Sequence, residues 1–399
     1  MGGPFRGARS GVIFYFDFAT YRKMLRLAWR ESNLRNRSRL LVSLLLVVPS
    51  VATFHALCFF LDPILFPGLR RVEIRTPVFI VGHARSGTTL LHRLLSKDAD
   101  RFSAFLLYEL FFPSLLQKKA IRFLAACDRR HLGGAIEKRV QAWEERKFGR
   151  TRNLHAMSLT EPEEDDGVLT YSCASGSWIV RLPYLGELDF YHVDSRPTRE
   201  RRRLMRFYKE CVRRQLYLNG ADKVHLSKNP IFCGRIASLL ETFPDARFVL
   251  AFRNPYETIP SLLKLMQVAW RMRKWSDAEM QPSLRVLAEQ SYHSYAYPLE
   301  VLARHPEAPR AIVDYRDLVA EPKQGIERLY AELGFPMTPE YQALLEAEQR
   351  TARRHVASNA YNLEEFGLRE DEIRTRLADL FERFRWDDDA PRTTSREES

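Results

Sequence analysis

Pro77-Val78-Phe79-Ile80-Val81-Gly82-His83-Ala84-Arg85-Ser86-Gly87-Thr88-Thr89-Leu90-Leu91 decides how this chain of 399 residues is to be read. Val78 to Val81 is an unbroken β-branched and aromatic run, the pattern of a strand buried on both faces. Gly82 to Gly87 is a loop with a glycine at each end, and Leu90, Leu91, Leu94 and Leu95 then share one face of a helix. A strand, a glycine-bounded loop and a helix N-terminus make an anion site: amide N–H groups point inward and the helix dipole favours phosphate. Thr88 and Thr89 add hydroxyl donors, and Arg85 puts a cation inside the loop.

A Walker A loop would place a lysine directly after the second glycine, where it reaches the β- and γ-phosphates. Thr88 stands there instead. This argues against an ATPase or a P-loop nucleotide kinase and for a different phosphate-bearing donor. The run His83-Ala84-Arg85-Ser86-Gly87-Thr88-Thr89 resembles the 5′-phosphosulfate loop of sulfotransferases that use 3′-phosphoadenosine 5′-phosphosulfate (PAPS). Ala84 departs from the proline usual before the cation. The resemblance implies an α/β, P-loop-like three-layer fold with a central, mostly parallel sheet. It implies PAPS as co-substrate, with no metal. Arg85, Ser86, Gly87, Thr88 and Thr89 become its expected binding residues.

Three further windows carry the resemblance. Val224-His225-Leu226 reads as a short strand running into Lys228-Asn229-Pro230, where the family has a lysine that bonds the bridging or sulfuryl oxygens as charge develops. Phe248 to Phe252 is another buried-strand run, with Arg253 just past its end and Ser261 eight positions later. These match the arginine and serine with which the family clamps the donor's 3′-phosphate, and a guanidinium fork with a hydroxyl suits a terminal phosphate. Since proline is costly inside a helix, the helix after Arg253 is expected to begin near Thr258, with Pro260 in its first turn. Ala311-Ile312-Val313 is a fourth strand candidate, and Asp314 to Pro322 resembles an architectural segment of the family. In a parallel sheet ligands bind beyond the C-terminal strand ends, where Gly82–Thr89, Lys228 and Arg253 all fall.

For a general base, Glu109 is an acid in the otherwise apolar stretch from Phe102 to Leu116. Burial would raise its pKa and suit it to proton transfer. Tyrosylprotein sulfotransferases and related bacterial-type enzymes have an acidic base about this far past the loop, and the resemblance gives that role to Glu109. His155 is the reserve candidate. The acids of Thr160-Glu161-Pro162-Glu163-Glu164-Asp165-Asp166 could bind a metal or a basic acceptor, but read better as a helix N-terminus, with Thr160 as its cap and Pro162 in the first turn. Arg353 and Arg354 are further candidates for holding the nucleotide.

Composition bounds the rest. Five scattered cysteines suggest neither a disulfide framework nor a zinc site. The net charge is +12, of which residues 1–75 hold +8, so nucleic acid is a weak inference and a membrane-surface element the better one. Leu40 to Leu61 holds 22 residues without a formal charge if His55 is neutral, long enough to span a bilayer, with Pro49 placed to kink it. Spanning, re-entrant and monotopic arrangements stay open, as does a helix packed on the soluble domain. The basic residues before the run favour a cytoplasmic N-terminus, but Arg70, Arg71 and Arg75 follow it closely and leave the topology open, with a cytoplasmic catalytic domain slightly favoured. Asp62-Pro63 and Pro67-Gly68 read as a turn-rich connector.

The expected organisation is a basic segment (1–39), an apolar membrane-associated segment (40–66), a sulfotransferase domain (76–386) and a disordered tail (387–399). The expected activity is in-line transfer of a sulfuryl group from PAPS to a hydroxyl or amine. The acceptor is open, tilted by the apolar run towards something lipid-like or membrane-proximal. The rival readings are a P-loop nucleotide kinase and a membrane-associated nucleotide-binding protein without turnover.

Overall fold

The computed structural model describes residues 14–148, 158–352 and 363–389. The N-terminal part is helical: α1 (Phe18–Arg30), α2 (Leu34–Val42) and α3 (Val48–Leu65), with a π-helical turn (Ser43–Val47) joining the last two. Then come β1 (Val78–Val81), α4 (Thr88–Leu95), β2 (Phe102–Ser103), α5 (Leu107–Phe111), α6 (Leu115–His131) and α7 (Ala135–Phe148). Short 3₁₀ turns lead to α8 (Thr198–Asn219), β3 (Val224–Lys228), α9 (Ile236–Thr242) and β4 (Arg247–Phe252). The long helices α10 (Pro255–Arg271) and α11 (Asp277–Ala303) precede β5 (Arg310–Asp314). The chain continues through α12 (Tyr315–Ala320), α13 (Pro322–Glu332), α14 (Pro339–Ala352), α15 (Glu370–Arg376) and α16 (Ala378–Phe384).

The strands form one parallel sheet in the order β2-β3-β1-β4-β5. Because side chains alternate across a strand, β1 feeds two layers. Phe79 and Val81 join the larger core with α8 to α11, whereas Val78 and Ile80 join the core built on α4, α13 and α14. Covering both faces is what an all-parallel sheet requires, and it accounts for the uninterrupted apolar strand at Val78–Val81. The N-terminal helices share the larger core: Met24, Leu27, Leu44, Val48 and Phe59 are buried in it.

Three local expectations are corrected. Asp62-Pro63 is not a turn but the last part of α3. Asp62 is fully buried, accepting from Ser114 Oγ at 2.9 Å, from the Leu115 and Leu116 amides at 3.0 and 2.8 Å, and from Arg214 Nε at 2.7 Å. An anion set against the first N–H groups of α6 is favoured by that helix's dipole, and these bonds hold the end of α3 in place.

The second correction concerns α10, which begins at Pro255 rather than near Thr258 and carries Pro260 in its interior. The Asn254 side chain accepts from Tyr256 N at 3.0 Å, and Pro255 fills the first helical position, where a missing N–H costs nothing. The start signal at 254–255 outweighs the later proline.

Third, the acidic run does not open an α-helix, and Thr160 caps none. Pro162 bridges Leu106, and a 3₁₀ turn runs from Asp165 to Ser172. Asp165 accepts from Tyr208 and Ser227, Asp166 from Ser175, the Gly176 amide and Arg235. These acids are internal partners of distant segments rather than a dipole-stabilised cap.

The apolar run is one face of a packed element. Leu44, Val48, Ala52, His55, Cys58, Phe59 and Asp62 are buried, the 3–4-residue spacing of a helical stripe, while Phe54, Leu57 and Phe60 point outward. His55 is held at Nδ1 by Gln117 at 2.8 Å. Pro49 lies two residues after the π-helical turn, whose wider i→i+5 bonding ends at Val48 N to Ser43 O. Such a turn relieves the clash a proline ring makes with the carbonyl four residues back.

Candidate active site

The loop after β1 is shaped by its backbone. Gly82, Arg85 and Gly87 have φ of 148°, 73° and 86°. A Cβ on Gly82 would run into the Ala251 carbonyl of β4, and one on Gly87 would come to 2.5 Å from Cδ2 of Tyr315. Left-handed positions within a turn splay successive amides towards one point, a concavity that suits an anion. Arg85 adopts its left-handed conformation without a glycine's freedom, which costs of order 1–3 kcal/mol and clusters at functional sites. α4 follows directly, its first turn at Thr88 and Thr89.

Two more strand ends flank the loop. On one side Lys228, at the end of β3, pairs in register with Ile80, and Asn229 N donates to Ile80 O at 3.1 Å. The Lys228 side chain is buried, 3.0 Å from Glu164 Oε1 and 3.7 Å from Glu163 Oε1. Burial works against its charge, but Glu164 and Glu163 outweigh it and hold its pKa above the ordinary lysine value. Beside it the Nδ2 of buried Asn229 has no hydrogen-bond partner among the described residues, and a buried donor of that kind is one a ligand can satisfy.

On the other side Arg253 leaves the end of β4. Its Nε and Nη2 donate to Glu257, its Nη1 donates to the Arg85 carbonyl at 3.4 Å, and the guanidinium lies 4.3 Å from the ring centre of Tyr315. Arg85 Nε–H donates to Ser261 Oγ at 3.2 Å. Arg85, Arg253 and Ser261 are thus one cluster, and the Ser261 hydroxyl hydrogen stays available for a further acceptor. Two arginines, a lysine, splayed amides and a helix N-terminus line one rim of the sheet as donors, with Lys228 paired to Glu163 and Glu164 and Arg253 to Glu257. Such a set matches a ligand with two phosphate-like ends.

The remaining site expectations fare differently. Glu109 is fully buried on α5, its Oε2 accepting from Leu106 N at 3.2 Å and its Oε1 lying 3.5 Å from Arg122 Nη2 and 3.4 Å from Tyr108 OH. None of these partners belongs to the loop. His155, Arg353, Arg354 and most of the tail lie outside the described residues.

Sequence reasoning missed three contributors. Tyr315 packs Gly87 on one side and Arg253 on another. Glu257 orients the Arg253 fork, a pairing that the i,i+4 spacing at the start of α10 could have revealed. His83, fully buried, sets its Nε2 2.9 Å from Ser291 Oγ and stacks on Tyr295 at 5.3 Å. Burial depresses its pKa to about 4.

A narrow cavity of about 90 Å³ opens on the inner side of the loop, bounded by His83, Ala84, Pro230, Ile231, Leu287 and Ser291. The larger concavity of about 600 Å³, around Arg285, Glu289, His293 and Arg376, contains no residue of the loop. Its volume alone does not make it the site, because the convergent cations lie elsewhere.

A sequence profile of the sulfotransferase family matches residues 77–339. The omega-hydroxy-beta-dihydromenaquinone-9 sulfotransferase Stf3 of Mycobacterium bovis is 30% identical over 275 residues, covering 65% of this chain and 62% of the relative, and that of Mycobacterium tuberculosis matches equally. The match therefore spans a little under two thirds of the relatives' length. Among solved structures, sulfotransferase STF9 from Mycobacterium avium superposes with a TM-score of 0.67 at 20% identity over 92% of both chains. STF1 from Mycobacterium tuberculosis does so with a TM-score of 0.63 at 20% identity, over 92% of this chain and 94% of its own. These two share the fold.

Proposed function

This chain belongs to the sulfotransferase family, and from that premise we propose that it transfers a sulfuryl group from PAPS to a hydroxyl on a lipid-like acceptor. The observation that carries the reading is the convergence of Arg85, Arg253 and Ser261 on one side of the loop with Lys228 on the other. PAPS supplies the sulfuryl group and departs as adenosine 3′,5′-bisphosphate.

The roles follow from the groups. The loop amides, Ser86, Thr88 and Thr89 hold the 5′-phosphosulfate end at the start of α4. Arg85 and Lys228 neutralise the charge that grows on the bridging and equatorial oxygens, the electrostatic aid an in-line displacement needs. Arg253, its fork set by Glu257, and Ser261 grip the 3′-phosphate. Glu109 takes the proton from the acceptor hydroxyl. A second reading gives that task to Glu164, favoured by its 3.0 Å contact with Lys228. The lipid-like acceptor is supported by the curated relative, named for a hydroxylated menaquinone, and by the outward apolar side chains of α3. Association with a membrane surface belongs to the same proposal.

Titration with adenosine 3′,5′-bisphosphate against ADP tests the donor. Binding of the bisphosphate at least tenfold tighter than ADP, without magnesium, is expected. Tighter, magnesium-dependent binding of ADP would return the nucleotide-kinase reading. Bisphosphate binding with no transfer to any hydroxylated acceptor would leave the reading of a binding protein without turnover.

A further inference from the structure

The apolar surface of this molecule is concentrated. Among the described residues every large apolar side chain that stands exposed, Met272 and Leu344 excepted, falls in 18–65 or 111–143. The charge is concentrated there too. Residues 18–71 hold nine Lys and Arg against two acids, and 115–148 hold nine against four, so these two segments account for the +12 of the whole chain. Of the two acids in the first, Glu31 and Asp62 are both buried.

The two segments touch. α3 packs along α6, α6 along α7, and Asp62 ties the end of α3 to the first amides of α6. α7 has no buried side chain from Ala135 to Lys147. Over these residues the helix is tied down by Asp128, which accepts from the Ile136 and Glu137 amides, and by Glu144, which accepts from Leu159 N, rather than by a buried apolar face, from which helices of this length draw most of their stability. Its apolar residues are nonetheless ordered: Ile136, Val140 and Trp143 fall at i, i+4 and i+7, one stripe, and are 52%, 42% and 45% exposed. On α6, Phe123 and Leu124 are exposed, and so are Phe111 and Phe112 at the C-terminal end of α5, the helix that carries Glu109.

We propose that the α6–α7 hairpin is a second membrane-inserting element, which with the outer face of α3 seats the enzyme in the surface of an anionic bilayer without crossing it. Exposed aromatic and aliphatic groups interleaved with Lys and Arg are the composition of interfacial helices, and attraction to anionic headgroups adds to apolar burial. The charge selects an anionic surface over a second copy of this chain, because a dimer of this face would set two strongly basic surfaces against each other. The inner stripe of α3, with His55 and Asp62 paired to the globular part, opposes its crossing a bilayer. Glu109 then lies at the rim of the seated face, so an acceptor dissolved in the bilayer meets the site from that side. This deepens the lipid-acceptor reading and rests on it only in that last step.

The test is flotation of the full chain with vesicles of phosphatidylglycerol and phosphatidylcholine, compared with vesicles of phosphatidylcholine alone, in the absence of donor and acceptor. The variant is Ile136→Glu/Val140→Glu/Trp143→Glu, checked by circular dichroism and sedimentation velocity. The wild type is expected to bind the anionic vesicles at least tenfold more strongly than the neutral ones. The variant, monomeric and with an unchanged spectrum, is expected to lose at least tenfold in binding. Equal flotation of variant and wild type would overturn the proposal. So would a wild type that ignores anionic vesicles, or a wild-type dimer that the variant dissociates with no lipid bound by either. The bisphosphate titration is independent of vesicles, so either reading can fail alone.

Discussion

Arg85 and Ser261 stand 176 positions apart in the chain and touch through a 3.2 Å bond from Nε–H to Oγ. The first belongs to the loop over β1 and the second to the helix after β4. Arg253 closes the group by donating to the carbonyl of Arg85 itself. A ligand held at one of these residues is therefore held beside all three.

Removing the proposed 3′-phosphate clamp should separate binding from fold. Arg253→Ala deletes a guanidinium already fixed by Glu257 and lying over Tyr315. Affinity for adenosine 3′,5′-bisphosphate, measured by calorimetry, is expected to fall about 10- to 100-fold, the worth of a hydrogen bond to a charged group. Unchanged affinity would show that the 3′-phosphate lies elsewhere.

Arg85→Ala acts differently. In the proposed roles Arg85 neutralises charge that grows during transfer, so transfer is expected to fall by at least about 100-fold while bisphosphate affinity falls less, the pattern of a group that serves the transition state. Single-turnover assays beside equilibrium titration would check the split. Glu109→Gln and Glu164→Gln, run in the same assay, identify the base by which one removes turnover with donor binding retained.

Gly87→Ala should destabilise through one named clash. The new methyl meets the Tyr315 ring at 2.5 Å, and φ is 86°. A loss of about 1–3 kcal/mol is expected, visible as a lower melting temperature. Tyr315→Ala added to Gly87→Ala should recover part of it, since the methyl then has room. No recovery would place the cost in the backbone alone.

Asp62→Ala leaves Arg214, itself buried, with Glu210 as its remaining carboxylate at 2.9 Å, and two amides of α6 without the acceptor they share. Breaking a buried pair from one side costs about 3–5 kcal/mol. Chemical denaturation should show this as a lower midpoint, or as failure to accumulate folded protein. A change under about 1 kcal/mol would mean that Glu210 alone keeps Arg214 compensated.

Stability should fall on acidification through two buried histidines. Burial depresses His83 to about 4, and burial with Lys228 nearby depresses His92 to about 3. Both folded values lie below the unfolded value near 6.5. Between about pH 4 and 6.5 the unfolded chain thus binds more protons, and stability rises with pH. Their contribution is complete above about 6.5 and is lost as pH falls towards 4 and 3. Denaturation midpoints across pH 4.5–7.5 should show a smaller slope in His83→Gln, by up to about one proton. An unchanged slope would show that the imidazole is hydrated.

What sequence made legible was local and patterned. Val78–Val81, the glycines at 82 and 87, and Arg253 at the end of an apolar run all carry their meaning within a dozen residues. The misread places share the opposite property. Asp62 is explained by Ser114 and Arg214, and the acids at 165 and 166 by Tyr208, Ser227 and Arg235. Nothing periodic links such partners, so short-range rules of capping and turns filled the gap with plausible local answers. Tyr315 was assigned to architecture and does serve it, but its position between Gly87 and Arg253 is a matter of strand order, which no single window displays.

The strand order also acts as a gauge. β3, β1 and β4 are neighbours, and the spacing between neighbouring strands is fixed at about 4.8 Å by backbone hydrogen bonds. Lys228, the loop and Arg253 each sit on one of these three strand ends, so their separation is measured out by main chain and cannot drift with side-chain repacking. Under the proposed roles, mutation can therefore retune how tightly each end of the donor is gripped, but hardly the length of donor that fits. Selection for new chemistry in this scaffold is directed to the acceptor side, where helices and 3₁₀ turns carry no such ruler.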